Sequence, residues 1–190
     1  MCEMLVNFVL NTRVELSSPE TDEAHMDVKI AKKTELADKK DRRLFLKRWI
    51  DKHTVGEDSF TALHFAAFRG NIPILRLLLK YDANLNCANV NGVNLLHVCA
   101  QGDSPVSLLY LMEKGLDLHS KDACGRTPLH HAATAGNELM TVYAAAAGAD
   151  INRRDYEGRT PLITSCLHFD DHMNIEVIKK LLYAGSNREL

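Results

Sequence analysis

The sequence predicts an all-α solenoid built from one repeated helix-turn-helix unit. A four-residue stretch with leucine at its third position recurs every 33 residues, at Thr61–His64, Asn94–His97, Thr127–His130 and Thr160–Ile163. An apolar run and a polar turn follow each copy. Self-similarity at such a period is typical of proteins in which each repeat is one supersecondary unit.

Three features of each unit predict where its helices begin and end. Threonine or asparagine opens every copy, and these side chains accept an N–H at a helix start. Pro128 and Pro161 follow, at a position where a helix misses no N–H. A glycine is expected to end the first helix in a left-handed conformation. The glycines at this place are Gly70, Gly102 and Gly136.

The threonine, leucine, histidine and glycine in common register resemble the ankyrin repeat, whose unit is a β-turn finger and two antiparallel helices. The resemblance covers residues 58–190, with repeats near 58–88, 89–121, 122–154 and 155–190. It implies a core that is shared between stacked neighbours. The leucines predicted to face that core are Leu63, Leu96, Leu129 and Leu162.

The residues before the repeats divide by charge. Residues 1–28 contain six acids and one arginine, a net charge of −5, and predict a tail that is partly ordered at best. Residues 29–57 contain ten cations and five acids, a net charge of +5, and predict a basic helical N-terminal cap. Within it, residues 44–50 resemble the second helix of a degenerate repeat, whose polar outer face would close the stack.

Three repeats depart from the pattern. Repeat two is one residue short before Gly102, which predicts an altered turn after its first helix. Repeat three has Ala144 and Ala145 where the other repeats have larger apolar residues. We expect either larger neighbours such as Tyr143 or Tyr110 to fill the space or the helices to approach closely. Repeat four has four extra residues near 167–172, which should lengthen its first helix or form a protruding loop.

Composition excludes several classes of function. The chain is 46% hydrophobic and 25% charged with a net charge of −2, which gives no general argument for binding nucleic acid. No apolar run approaches the roughly 20 residues of a membrane-spanning helix, so we expect no membrane insertion. The chain ends without a polar capping repeat, so the natural protein is expected to continue past Leu190.

No residue pattern indicates catalysis. His64, His97 and His130 are expected to tie neighbouring loops together by hydrogen bonds. His168 and His172 have the spacing of two helical metal ligands, but no third ligand accompanies them. The five cysteines have no C-x-x-C spacing, which suits reduced thiols in an intracellular protein, cytoplasmic or nuclear. We therefore predict no enzyme, no cofactor and no metal.

The family resemblance implies recognition of another protein on the concave side formed by the fingers and first helices. A line of cations, Lys121, Arg126, Arg154 and Arg159, favours an acidic or extended partner segment, and the chain itself is predicted to be a monomer. Carried over position by position, the partner-binding residues are Phe60, Phe68, Arg69, Val90, Asn91, Gln101, Lys121, Arg126, Arg154, Tyr156, Glu157 and Arg159.

Two alternative functions remain open. Residues 108–122 and 185–189 faintly resemble ankyrin domains of DHHC-type palmitoyltransferases, in which this chain would be a substrate-recruiting arm. The sequence contains no Asp-His-His-Cys motif, so the catalyst would lie elsewhere. The other alternative is an IκB-like inhibitor of a transcription factor, which no feature of the sequence singles out.

Overall fold

Four pairs of helices follow one another along the part of the chain that the structure describes. The structure is a computed structural model, and it describes residues 50–54, 59–167 and 173–185. The helices are α1 (Ala62–Phe68), α2 (Ile72–Lys80), α3 (Leu95–Gln101), α4 (Pro105–Glu113), α5 (Pro128–Thr134), α6 (Glu138–Ala146), α7 (Pro161–Leu167) and α8 (Met173–Tyr183).

The chain divides into two compact units, Met1–Ile50 and Asp51–Leu190. The predicted tail at 1–28 and nearly all of the predicted cap at 29–57 lie outside the described residues. The second unit holds all the described helices, and its fold is the predicted all-α ankyrin solenoid. The first helix of every pair has seven residues, so the constant sequence spacing corresponds to a constant structural unit.

Asparagine starts the first helix of repeat two in the predicted way. The side-chain oxygen of Asn94 accepts the N–H groups of Leu96 and His97 at 3.0 and 3.2 Å. In repeat four the Thr160 hydroxyl accepts the N–H of Ile163 at 3.4 Å. These bonds satisfy N–H groups that the first turn of a helix leaves without a partner.

The core lies between neighbouring repeats. Leu63, Leu96 and Leu129 are fully buried as predicted, and Leu162 is partly buried against the same layer. Neighbouring first helices lie against each other, and so do α4 with α6 and α6 with α8. Each repeat therefore buries its apolar side against the next one, as expected for a solenoid.

The space beside Ala144 is filled differently from the prediction. Tyr143 is exposed, and the ring of Tyr110 lies beside cations on the outer side of the helices. Val177 and Leu181 of α8 pack against Ala144 instead, together with Leu129 and other residues of repeat three. A small residue here lets the larger side chains of the next repeat enter the core.

The turn after α3 is altered as predicted, but the assignment of Gly102 was wrong. Gly102 has φ −88°, and the left-handed residue is Asp103 with φ 49°, in the register of Gly70 and Gly136. Gly102 serves a different purpose. A Cβ at this position would lie 2.0 Å from the carbonyl oxygen of Phe68, so only glycine permits this approach of two backbones.

The four extra residues of repeat four were expected to lengthen its first helix or to form a protruding loop, and that stays a prediction. The described part of α7 runs from Pro161 to Leu167, and α8 begins at Met173. Residues 168–172, which include His168 and His172, lie outside the described residues. Among the described helices, none has the length and apolar composition needed to cross a lipid bilayer.

Candidate protein-binding surface on the fingers and first helices

An apolar groove of about 260 Å³ opens on the first helices of repeats one and two. We call it the aromatic groove. Three of its seven lining residues are phenylalanines, while Arg69 and Gln101 supply polar groups. Its lining residues are Phe60, His64, Phe65, Phe68, Arg69, Val98 and Gln101.

The phenylalanines of the groove are held by one another and remain accessible. The Phe60 ring centroid lies 5.2 Å from that of His64 and 6.2 Å from that of Phe65, the latter in an edge-to-face arrangement. Phe65 is 52% exposed and Phe68 is 41% exposed. Such rings offer apolar contact area that loses little conformational entropy when a partner binds.

The repeat register explains why the groove ends at repeat two. Phe65 and Val98 occupy the same position in successive repeats, and His131 occupies it in repeat three. Phe68 and Gln101 form the next row along the helices. The first-helix surface therefore changes from aromatic in repeat one to polar in repeat three.

A buried polar network holds Gln101 at the edge of the groove. The Gln101 amide donates to Nδ1 of His131 at 2.9 Å, and Nε2 of His131 donates to the Asp122 carboxylate at 2.9 Å. Arg126 Nε also donates to this carboxylate at 2.9 Å. Burial alone would raise the pKa of Asp122, but the bonds from His131 and Arg126 outweigh it and hold that pKa well below its usual range.

Asp155 repeats this arrangement in the finger of repeat four. One of its oxygens accepts the backbone N–H groups of Glu157 and Arg159, and the other accepts Arg159 Nε at 2.8 Å. Arg159 also pairs with Glu157 at 2.6 Å. Hydrogen bonds to ionised carboxylates are among the stronger ones in proteins, so each arginine stiffens its own finger.

The predicted line of cations is therefore divided by the structure. Arg126 and Arg159 are bound to buried carboxylates of their own fingers. Lys121 and Arg154 are exposed, with Lys121 Nζ 5.5 Å from the ring centroid of Tyr156. Arg154 Nη1 donates to the Gly158 carbonyl at 3.4 Å.

The finger tips form a second part of this surface, alongside the aromatic groove. The Ala123 N–H donates to the Asn91 carbonyl at 2.8 Å, and the Tyr156 N–H donates to the Cys124 carbonyl at 3.0 Å. These bonds join each finger to the next. Val90 and Tyr156 are the most exposed apolar side chains of the fingers.

The ring of Tyr156 lies against Gly125 although the side chain is 70% exposed. A Cβ atom at position 125 would lie 2.6 Å from the Cδ1 atom of this ring, so the ring position leaves room only for a glycine. Tyrosine is enriched among the residues that dominate protein interfaces.

The repeated histidines tie neighbouring loops together, as predicted. Nε2 of His64, His97 and His130 donates to a carbonyl 29 residues further along the chain, at 3.3, 3.0 and 3.1 Å respectively. Nδ1 of each accepts the N–H of the residue that opens its repeat. Burial lowers the pKa of His64 and His97 to about 4 and also lowers that of His130, so all three are neutral at pH 7.

Two of the described thiols are buried. Burial raises the pKa of the Cys99 thiol to about 12, which removes its nucleophilic form, and Cys87 is buried too. Across residues 50–54, 59–167 and 173–185, no three His, Cys, Asp or Glu side chains are placed to share a metal ion.

Sequence reasoning missed several residues of this surface. Phe65 and Val98 line the groove, and Asp122, His131 and Asp155 position its polar residues. The 33-residue spacing could have indicated both the groove residues and the positioning aspartates. Phe65 and Val98 are one pair in register, and an aspartate lies four residues before both Arg126 and Arg159.

Comparison with known proteins agrees with this geometry. The profile for ankyrin repeats in three copies matches residues 37–122 and 107–189. The Notch-regulated ankyrin repeat-containing proteins of Xenopus tropicalis and Homo sapiens are each 36% identical over 62 residues, 33% of this chain and 54% of theirs. Protein B of that name from Danio rerio is 34% identical over 62 residues, 33% of this chain and 56% of its own.

The chain spans about half the length of the curated relatives it matches. The profile match covers most of the chain, including every described helix. Ankyrin repeats act as modules that bind other proteins. The chain belongs to the ankyrin repeat family.

Proposed function

We propose that this chain is a non-catalytic protein-interaction module that binds an extended segment of its partner in the aromatic groove. The observation that carries the proposal is the cluster of accessible phenylalanine rings on repeat one. Exposed apolar clusters with a polar rim mark places where proteins bind.

The size of the groove favours a peptide side chain. Its volume of about 260 Å³ lies below the roughly 300–1,000 Å³ typical of small-molecule sites. An apolar side chain of the partner would displace water from Phe65 and Phe68. Arg69 at the edge would then pair with an acidic or phosphorylated residue of the same segment.

The finger tips extend this contact. Tyr156 supplies an aromatic ring, and Lys121 and Arg154 supply exposed positive charge nearby. Arg126 and Arg159 act mainly through their buried aspartates, so the acidic segment would meet Lys121 and Arg154 first. A partner that crosses several fingers would use a surface that no single repeat provides.

The test compares proteins captured by the wild-type chain with those captured by a Phe68→Ser, Arg69→Glu variant. The control is Tyr183→Ser, which removes an exposed aromatic side chain from α8. We expect mass spectrometry to find partners that the groove variant loses and that the control keeps. Equal capture by all three chains, or turnover of a small molecule by the wild type, would contradict the proposal.

A further inference from the structure

The second helices of repeats two and three expose apolar side chains on the side away from the core. The outer apolar patch consists of Val106 and Leu109 on α4 with Leu139, Val142 and Tyr143 on α6. Val106 and Leu139 are the most exposed of these, at 67% and 58%. This patch lies on different helices from the aromatic groove.

The patch follows the helical and repeat spacings together. Val106 and Leu109 are three residues apart on α4, and Leu139 and Val142 are three apart on α6, so each pair occupies one helix face. The members of the two pairs are 33 residues apart. Because α4 and α6 are in contact, the four side chains form two adjacent rows.

Core packing does not require these residues. Leu108 and Leu111 bury the inner face of α4, and Met140 and Ala144 bury that of α6. Both helices are therefore apolar on two sides. A helix that is apolar all round is normally buried on all sides, so the outer face of this pair indicates a partner.

The outer apolar rows stop at repeats one and four. Arg76 on α2 and Lys179 on α8 occupy the same repeat position as Leu109 and Val142. Pro73 and Glu176 occupy the same repeat position as Val106 and Leu139. The apolar surface is two helices wide, with the charged residue Arg76 on one side and the charged residues Lys179 and Glu176 on the other.

Positive charge exceeds negative charge around the patch. On the side of repeat one, Arg76 and Lys114 lie over the Tyr110 ring, at 5.5 and 5.4 Å from its centroid. On the side of repeat four, Lys179 and Lys180 pair with glutamates of α8 and α6. The bordering charges are five cations, Arg76, Lys80, Lys114, Lys179 and Lys180, and three acids, Glu113, Glu138 and Glu176, a net of +2.

We propose that the outer apolar patch binds an amphipathic helix of another protein whose apolar stripe is flanked by acidic residues. The helix lies in the furrow between α4 and α6, with its apolar side chains over Val106 and Leu139. Each of these helices has nine residues and is about 14 Å long at 1.5 Å per residue, which matches two to three turns of a bound helix. Acidic flanking residues meet Arg76 and Lys114.

A second copy of this chain fits the same surface poorly. If two patches met with the order of their repeats reversed, Arg76 and Lys80 would face Lys179 and Lys180. If they met with the same order, Arg76 and Lys80 would face their own copies. Both of these two-fold arrangements bring like charges together.

A membrane surface fits less well than an acidic helix. Polybasic segments that bind anionic lipids have clusters of about four to eight lysines and arginines. Here two of the five cations are already paired with glutamates, and the net charge of the border is only +2.

The test is a display library of 18-residue helical peptides with a fixed leucine stripe and flanks that vary among Glu, Lys, Gln and Ser. The library is selected on the wild-type chain and counter-selected on a Val106→Glu, Leu139→Glu variant. We expect the recovered peptides to be enriched in glutamate at the flanks. Fluorescence anisotropy should show at least tenfold weaker binding to this variant and several-fold weaker binding to Arg76→Glu.

Two control variants separate this surface from the aromatic groove and from misfolding. Phe68→Ser should leave the affinity of the peptides unchanged. Val106→Ser with Leu139→Ser should weaken binding while the thermal midpoint stays within a few degrees of wild type.

Each other outcome overturns the proposal. The proposal of an acidic helix is contradicted if no recovered peptide distinguishes the wild type from the variant. It is also contradicted if the recovered peptides show no preference for glutamate. Cosedimentation with phosphatidylserine vesicles that depends on Val106 and Leu139, without peptide binding, assigns the patch to a membrane. A dimer in sedimentation equilibrium that the Val106→Glu, Leu139→Glu variant abolishes assigns it to a second copy.

Discussion

The junction between repeats one and two and the junction between repeats two and three have different residues, Ser104 and Asn137, at one equivalent position. In the first, the Ser104 hydroxyl donates to the Phe68 carbonyl at 3.0 Å. In the second, the longer Asn137 side chain donates to the Gln101 carbonyl at 3.0 Å. The shorter serine brings the backbones closer, which is why Gly102 is needed beside it.

The fingers at these two junctions differ in charge. Asn89 accepts two backbone N–H groups with its side-chain oxygen, and Asp122 accepts the corresponding two. Only Asp122 has a second oxygen, which binds Arg126 and His131. The same backbone unit can thus be joined by close neutral contact or by a buried charged network.

The substitution Gly102→Ala should have the largest effect, because it attacks the close contact directly. The new Cβ would lie 2.0 Å from a backbone oxygen that cannot rotate away. We expect a loss of about 3 to 4 kcal/mol in the free energy of unfolding, measured by urea titration.

Ala135 is the matched control, since it occupies the same position at the second junction. Ala135→Gly should cost at most about 1 kcal/mol, the usual difference in helix propensity. Similar losses for the two variants would show that the junctions do not differ in backbone spacing.

Acid should weaken the histidine links over a defined range of pH. Burial lowers the pKa of His97 to about 4, so folding favours its neutral form. The stabilisation is fully present above the unfolded pKa of about 6.5 and is lost as pH falls from 6.5 towards 4. For His97 the loss is roughly 3 kcal/mol, at about 1.4 kcal/mol per pH unit.

Urea titrations from pH 7 to pH 4 should show this slope in the wild type and a smaller slope in His97→Gln. Repeat four has Ile163 at the equivalent position, so Ile163→Val is a control that should leave the slope unchanged. If the His97→Gln slope matched the wild type, the assigned protonation of His97 would be wrong.

Asp122→Asn should test the charged network separately from the turn. Asparagine at this position can still accept both backbone N–H groups, as Asn89 does. The lost charge leaves Arg126 without its carboxylate, and we expect a loss of about 2 kcal/mol in thermal or urea unfolding. The pKa of Asp122 is lowered, so its contribution is present above about pH 4 and declines as pH falls towards the lowered pKa.

The reciprocal change Asn89→Asp places a carboxylate at the first junction. There Val93 and Val98 occupy the repeat positions that Arg126 and His131 occupy at the second junction. The substitution should destabilise the chain, by about 1 kcal/mol, because a buried charge without partners is unfavourable. Stabilisation by Asn89→Asp would mean that the first junction can accept charge as readily as the second.

The smallest effect concerns two aspartates in left-handed conformations. Asp82 has φ 62° in the register of Gly115 and Gly148, so Asp82→Gly should stabilise the chain by about 1 kcal/mol. Asp103 has φ 49°, but its side chain accepts the Met140 N–H at 3.2 Å. Asp103→Gly should therefore gain nothing in thermal unfolding, and a gain equal to that of Asp82→Gly would count against a role for this bond between repeats.

Much of the fold was predictable because the repeat is a local signal. The cap of Asn94, the buried leucines and the links made by the three histidines were predicted from spacing and are confirmed. The errors concern contacts between repeats. Gly102 was expected to be left-handed, and a tyrosine, Tyr143 or Tyr110, was one of the expected ways to fill the core beside Ala144.

The candidate surface was predictable in its location more than in its chemistry. Phe60, Phe68 and Gln101 were predicted to bind a partner and do line one groove, but binding itself stays a prediction. Arg126 and Arg159 were predicted to bind the partner, and that stays a prediction. The structure adds that their Nε atoms bind Asp122 and Asp155, whose second carboxylate oxygens need donors other than the finger backbone.

The sequence by itself determined the repeat length, the helix positions and the inward face of each helix, since caps and apolar spacing act within a few residues. Only the tertiary structure decided how closely neighbouring repeats approach and which charges are used internally. Those choices depend on distances between residues some 30 positions apart, such as Ser104 and Phe68 or Gln101 and His131. Such distances follow from the packing of whole helices, which no local pattern specifies.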